Sequence, residues 1–305
     1  MVKIMVNTVL GPVEAADLGI TYIHEHLYVK PSELPAFYPY TLDDVDRGVA
    51  EIDNFMAAGG STIVELSPLN FGRNTEALRV MAKRAGCHIV CVTGLHKEEH
   101  LPSWFDRLSD TEIAEVIADE IEDGIGTHHV KPGAVKVGTS LNAITERERR
   151  AIRICTSVAV GHRMPMITHC DKGTMALEQL SLIEAEGMDP SHVCLSHVDL
   201  TLDTAYIAEI CWAGAYVSLD HVGRDPAGRD HERVAMIKEL VDLGVGGRLC
   251  LAGDMGKKDY WPSYGGKPGL AYILAGLKRE LVGCIGEKAF DAMVRANPQR
   301  LLSWE

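Results

Sequence analysis

Eight short β-rich runs punctuate the chain, at 20–24 (ITYIH), 61–66 (STIVEL), 88–93 (HIVCVT), 134–138 (AVKVG), 165–169 (PMITH), 193–197 (VCLSH), 215–220 (AYVSLD) and 249–254 (LCLAGD). Between them lie amphipathic stretches such as TLDDVDRGVAEIDNFMAAGG, TEIAEVIADEIEDGIG, TERERRAIRICTSVAVGHR and DHERVAMIKELVDLGVGG, with Thr or Asp at the start and Gly near the end, as helix caps require. A strand followed by a helix, repeated eight times, predicts a parallel sheet closed into an α/β TIM (β/α)8 barrel. An open doubly wound sheet would carry a Gly-rich fingerprint after its first strand, and ITYIHEHLYV has none. The 305 residues fit one barrel of about 250 residues with extensions. No repeat, linker or composition break divides them, so residues 1–305 are expected to form a single domain. The Gly/Pro-rich segment 255–269 (MGKKDYWPSYGGKPG) predicts a long loop after the eighth strand.

Composition narrows the function classes. At 46% hydrophobic and 24% charged residues, the chain can bury a large core and is neither disordered nor coiled coil. A formal charge of −13 opposes binding to nucleic acid or to an anionic membrane surface. The longest apolar stretches, 62–66 and 87–93, fall far short of the ~20 residues that a membrane helix needs. MVKIMVNTVLGPVEAADLG does not read as a secretory signal. The eight cysteines sit mostly within apolar runs and without CxxC spacing, so they read as reduced core residues. A cytoplasmic location is the resulting expectation.

In such a barrel the C-terminal strand ends form the active face, which directs attention to the polar residues there. His24 and His26 make an HxH pair ending the first run; a two-residue offset on an extended chain points both imidazoles to one side. Lys136 lies within the fourth run, His169 ends the fifth, His197 the sixth and Asp254 the eighth. Singly, a strand-end His is more often a hydrogen-bonded structural residue, and a strand-end Asp more often a helix cap. Independent structural roles would not gather all six at one end of one barrel, so the set predicts a metal centre. The lysine is the odd member, because an ammonium beside metal cations is repelled and its burial is costly. It could instead be a neutral amine forming a Schiff base with a carbonyl substrate, or be N-carboxylated into an anionic oxygen ligand. The surrounding histidines and aspartate favour carboxylation.

Through TYIHEHLYV, GAVKVGTS, ITHCD, LSHVD, DHVGRD, LAGD and the terminal ANPQRLLS, the chain resembles the phosphotriesterase-like branch of the amidohydrolase superfamily over nearly its whole length. The resemblance implies two divalent ions: His24, His26 and Asp254 on the more buried one, and His169 and His197 on the more exposed one. It further implies a carboxylated Lys136 bridging the two together with a hydroxide, and His221 as a proton relay beside Asp254. Such ions lower the pKa of a bridging water towards neutrality and polarise a carbonyl or phosphoryl oxygen. Asp254 would then take the proton of the attacking hydroxide and His221 carry it outward. Zinc suits these ligands, as do manganese and cobalt. One departure stands out. Where the organophosphate hydrolase has a further acidic relay residue, three positions after the fifth ligand, this chain has Leu200, with Asp199 and Asp203 nearby, which argues against efficient triester hydrolysis.

The loops set the substrate class. The loop GKKDYWPSYGGK is locally basic, and Arg224 follows the seventh run. Arg224, Lys257, Lys258, Tyr260 and Tyr264 could clamp a phosphate or carboxylate at a distance from the metals; the plainer reading is a solvated loop with a Tyr-Trp packing cluster. The loop resembles that of the phosphorylated sugar-lactone hydrolases of the family more than that of its organophosphate or acyl-homoserine-lactone hydrolases. Trp104 and Trp261 are expected as apolar walls, and His96, His100, His128 and His129 as surface residues. The expected function is hydrolytic opening of a small-molecule lactone, that of a phosphorylated sugar acid. The rivals are a phosphotriester or unphosphorylated-lactone hydrolase with the same centre, a metal-independent Schiff-base lyase using Lys136, and a non-catalytic metal-binding barrel. A homodimer, common among members of the family, is an arrangement the sequence leaves open.

Overall fold

The computed structural model describes residues 3–224 and 228–304. A hairpin of β1 (Met5–Thr8) and β2 (Gly11–Glu14) leads into a sheet of eight strands: β3 (Thr21–Glu25), β4 (Thr62–Glu65), β5 (His88–Gly94), β6 (Ala134–Thr139), β7 (Met166–Cys170), β8 (Val193–Ser196), β9 (Tyr216–Leu219) and β10 (Leu249–Leu251). The strands lie side by side in chain order, and every adjacent pair is parallel. Each expected run therefore carries a barrel strand. The hairpin was not expected; it closes the opposite, N-terminal end, where Val9 N donates to Ile89 O at 2.8 Å.

Helices α1 (Val45–Ala57), α2 (Thr75–Ala85), α3 (Asp110–Glu122), α4 (Glu146–Gly161), α5 (Ala176–Ala185), α6 (Thr204–Trp212) and α7 (Asp230–Asp242) follow successive strands. Five of these seven starts, all but those of α5 and α7, are set by side chains that satisfy the first free amides. Thr145 and Glu148 form a capping box on α4, as the sequence suggests, and Ser109 with Glu112 does the same for α3. Asp44, not Thr41, caps α1, while α7 has Arg229 at its cap position with no side-chain cap bond. Segment 255–269 is a loop broken by short turns at Lys258–Tyr260 and Pro262–Tyr264.

Barrel strands are buried along almost their whole length, which is why they read as unbroken apolar runs without alternation. The exceptions at their C-terminal ends build the site. β10 stops at Leu251, three residues before its expected end, and Asp254 beyond it takes a left-handed backbone with φ +43°. There the last strand meets the first: Asp254 N donates to His24 O at 3.1 Å, and Glu25 accepts from Gly253 N at 2.6 Å and Met255 N at 2.8 Å.

Gly94 ends β5 with φ +98°, and a Cβ there would lie 2.2 Å from Lys136 O. Gly94→Ala is therefore expected to destabilise the fold by about 1–3 kcal/mol, because neither backbone can withdraw without breaking the sheet. Denaturant unfolding checks this; an unchanged midpoint would show that the β5–β6 junction yields easily.

Candidate metal centre

Alternation along β3 gives the HEH motif two faces. His24 and His26 turn inward and Glu25 turns to the seam, where burial raises its carboxyl to about 8 against the two amides that stabilise its anion. His24, His26 and Asp254 present ligand atoms within 4.8 Å of one another, with His24 Nε2 at 3.7 Å and His26 Nε2 at 3.4 Å from Asp254 Oδ1.

The outward nitrogens are spoken for. Ser67 Oγ donates to Glu65 Oε1 at 2.6 Å and so accepts from His26 Nδ1 at 2.8 Å, which leaves Nε2 as the free lone pair. His24 Nδ1 lies 2.9 Å from Ser196 Oγ and 3.1 Å from Asp220 Oδ2, and His197 Nδ1 lies 2.8 Å from Asp220 Oδ1. His197 Nε2 meets His169 Nδ1 at 2.8 Å, while His169 Nε2 is buried without a partner. Burial holds the His169 imidazole well below its ordinary pKa, and burial followed by Lys136 lowers that of His24 to about 3. Neutral imidazoles with inward lone pairs, a carboxylate among them and an orphaned ring nitrogen are a donor set that fits divalent cations.

Lys136 is 1% exposed and lines the same cavity, and no hydrogen bond or ion pair holds its Nζ among the described residues. Burial lowers its ammonium to about 8, against the pull of Asp254 and Asp220. His221 also lines the cavity; its Nδ1 lies 3.1 Å from Asp220 Oδ1 and 3.6 Å from Asp199 Oδ1. His197, His221 and Asp254 present ligand atoms within 4.8 Å of one another.

The basic residues depart from the remote clamp expected of them. Arg224 is not distant: its Nη1 pairs directly with Asp254 Oδ2, its Cζ lies 4.9 Å above the Tyr260 ring, and its buried Nε has no acceptor among the described residues. Burial opposes ionisation of Asp254, but Arg224 and the nearby histidines outweigh it and hold the carboxyl below the usual range. Lys257 lines the cavity, its Nζ 4.5 Å from the Tyr40 ring centre and 5.8 Å from that of Tyr260. Tyr260 is thus a platform under both cations. Lys258 and Tyr264 lie outside the lining: Lys258 Nζ sits 3.5 Å over Tyr38, and Arg47 stacks on Tyr264 at 4.3 Å.

The cavity measures about 750 Å³, and its apolar wall is made by Val29, Phe37, Tyr40, Phe71 and Leu200. Trp261 is not part of that wall, being fully buried with Nε1 donating to Met255 O at 2.7 Å, and Trp104 is also outside the lining. His96 and His100, expected at the surface, line the cavity instead, whereas His128 and His129 are exposed. His96 accepts from Lys97 N at 2.7 Å through Nδ1 and packs on His169 at 4.7 Å between ring centres. Its signal was present in the sequence: GLH follows the end of a barrel strand, as the other inward histidines do. Asp220, Ser196 and Ser67 were missed because they act through the histidines they hold.

Residues 4–302 match the sequence model of the Phosphotriesterase family. The chain is 30% identical over 287 residues to the phosphotriesterase homology protein of Escherichia coli strain K12, covering 92% of this chain and 97% of that one. It is also 30% identical over 327 residues to a phospho-furanose lactonase of Mycoplasmopsis synoviae strain 53, covering 98% and 92%. Among solved structures, a lactonase from Listeria monocytogenes superposes with a TM-score of 0.94 at 27% identity, covering 99% of both chains.

Proposed function

Because the chain belongs to the phosphotriesterase family and is a hydrolase, we propose that it opens the lactone ring of a phosphorylated sugar acid at a two-metal centre. The observation that carries the substrate class is the pair Arg224 and Lys257 on one cavity wall, with the buried Arg224 Nε lacking an acceptor among the described residues, in a chain of net charge −13. A phosphate would supply that acceptor, and the phospho-furanose lactonase named above acts in the same sense.

His24, His26 and Asp254 would hold one ion, His169 and His197 the other, with Lys136 between them as an N-carboxylate. The buried, unpartnered Nζ supports that modification: the neutral amine attacks the carbon of CO2, an N–C bond forms, one proton leaves, and an anionic oxygen ligand replaces a repelled cation. When bound, divalent ions, zinc above manganese or cobalt for this donor set, supply an acidified water and polarise the lactone carbonyl. Asp254, kept ionised beside Arg224, accepts the proton that the attacking water releases. His221, its Nδ1 tied to Asp220, has Nε2 left to carry that proton on. Phe37, Phe71 and Leu200 exclude water from the sugar face of the cavity. The same reading takes residues 1–305 as one catalytic domain in the cytoplasm, supported by eight free cysteines, seven of them buried.

A panel of lactones with and without a phosphate group tests the substrate class. Lys257→Ala is expected to lower kcat/KM about tenfold or more for the phosphorylated lactones, mainly through KM, and to leave the plain ones nearly unchanged. An equal loss on both would remove the phosphate assignment, and turnover of phosphotriesters alone would replace the lactone reading.

A further inference from the structure

We propose that Asp220 is a positioning residue that sets the tautomers of His24 and His197 together, so that its loss loosens both metal positions at once. The inference rests on the metal-centre reading above. Asp220 follows β9, is fully buried, and faces His197 with one oxygen and His24 with the other. Oδ1 lies 2.8 Å from His197 Nδ1 and 3.1 Å from both His197 N and His221 Nδ1. Oδ2 lies 3.1 Å from His24 Nδ1, an ion-pair approach, while the hydrogen bond of that nitrogen runs to Ser196 Oγ at 2.9 Å.

A carboxylate can only accept, so each imidazole nitrogen facing it is held as N–H and the opposite nitrogen keeps its lone pair. His24 belongs to one proposed ligand set and His197 to the other. One side chain therefore orients a ligand on each side of the centre, while His26 has its own support in Ser67 and Glu65. The carboxylate itself is fixed from behind: Asp220 N donates to Asp199 Oδ1 at 3.3 Å, and Asp199 Oδ2 accepts from His221 N at 3.1 Å and Arg233 Nε at 3.0 Å. Asparagine is nearly isosteric, but its amide can turn a donor towards an imidazole and release the tautomer.

The test is zinc retention by the full-length holoprotein in graded chelator, read by elemental analysis. Asp220→Asn is expected to lose both equivalents in parallel at about 10–100-fold weaker chelation than wild type. Ser67→Ala should shed one equivalent early and keep the other. Asp220→Asn retaining two ions with wild-type affinity, or shedding only one, overturns the proposal. Wild-type protein that retains no ion overturns the metal-centre reading and this inference with it, a result distinct from either. Spectra of unsubstituted, 15N-histidine-labelled zinc protein decide the matter even if the variant does not fold. Nδ1–H signals for His24 and His197 are expected, and an Nε2–H tautomer at either residue overturns the assignment.

Discussion

Lys136→Ala is expected to strip the centre of metal and lower kcat/KM by on the order of 10³-fold or more, the scale set by losing preorganised stabilisation of the developing oxyanion. The expectation starts from a lysine that is 1% exposed, shares its cavity with seven imidazoles and has no partner for its Nζ among the described residues. As a bare ammonium it would repel divalent ions; as a carboxylate it would join them. Elemental analysis of protein expressed with ample zinc and bicarbonate should give about two equivalents per wild-type chain and fewer than one for the variant. A short carboxylic acid added to Lys136→Ala should restore part of both metal and activity, because it returns the missing oxygens. Lys136→Arg should restore neither, since a fixed cation cannot ligate. Full metal content in Lys136→Ala would exclude the bridging role, and trapping of a substrate adduct by borohydride would point to the Schiff-base alternative.

Asp254→Asn should lower kcat by about 10²–10⁴-fold, the range for removing a general base. Here the structure adds a second effect. Arg224 is paired to Asp254 and mostly buried, so the amide keeps one acceptor for the guanidinium but removes the charge that balances it. A stability loss of up to about 3 kcal/mol is expected alongside the kinetic one. Turnover and thermal unfolding, measured on the same samples, separate the two. Activity within threefold of wild type would remove Asp254 from proton transfer, whatever the stability change.

The barrel was legible because parallel strands buried on both faces leave an apolar run for every strand, and eight such runs admit few other architectures. His24, His26, His169, His197 and Asp254 were legible as polar residues at strand ends, and Lys136 as a lone cation within one. What failed was side-chain direction beyond the strands. Lys257 and Lys258 are neighbours in sequence, but Tyr40 draws the first over the cavity and Tyr38 draws the second away from it, and both tyrosines come from a distant loop. Arg224 is one flexible side chain beyond a strand, and only the folded seam shows that Asp254 is within its reach. His96 was misjudged by a rule that places loop histidines outside, although its position just past Gly94 put it on the active face. Asp220 was hidden for the opposite reason: at the end of AYVSLD it looked like another strand-end carboxylate, and two of the histidines it faces, His24 and His197, lie on other segments.

The clasp of Glu25 on the amides flanking Asp254 has a consequence for how the protein comes into being. Its two ends are 230 positions apart, so a ribosome working at about 5–20 residues per second exposes the HEH motif some 10–50 s before the residue that closes the ring. Until Met255 has emerged, the nascent chain holds most of its imidazoles in an open sheet, with Glu25 unsatisfied and Asp254 still to come. Closure of the seam and completion of the candidate ligand set are then one late event of synthesis. A chain interrupted before that point would lack the carboxylate that completes the His24, His26 and Asp254 group.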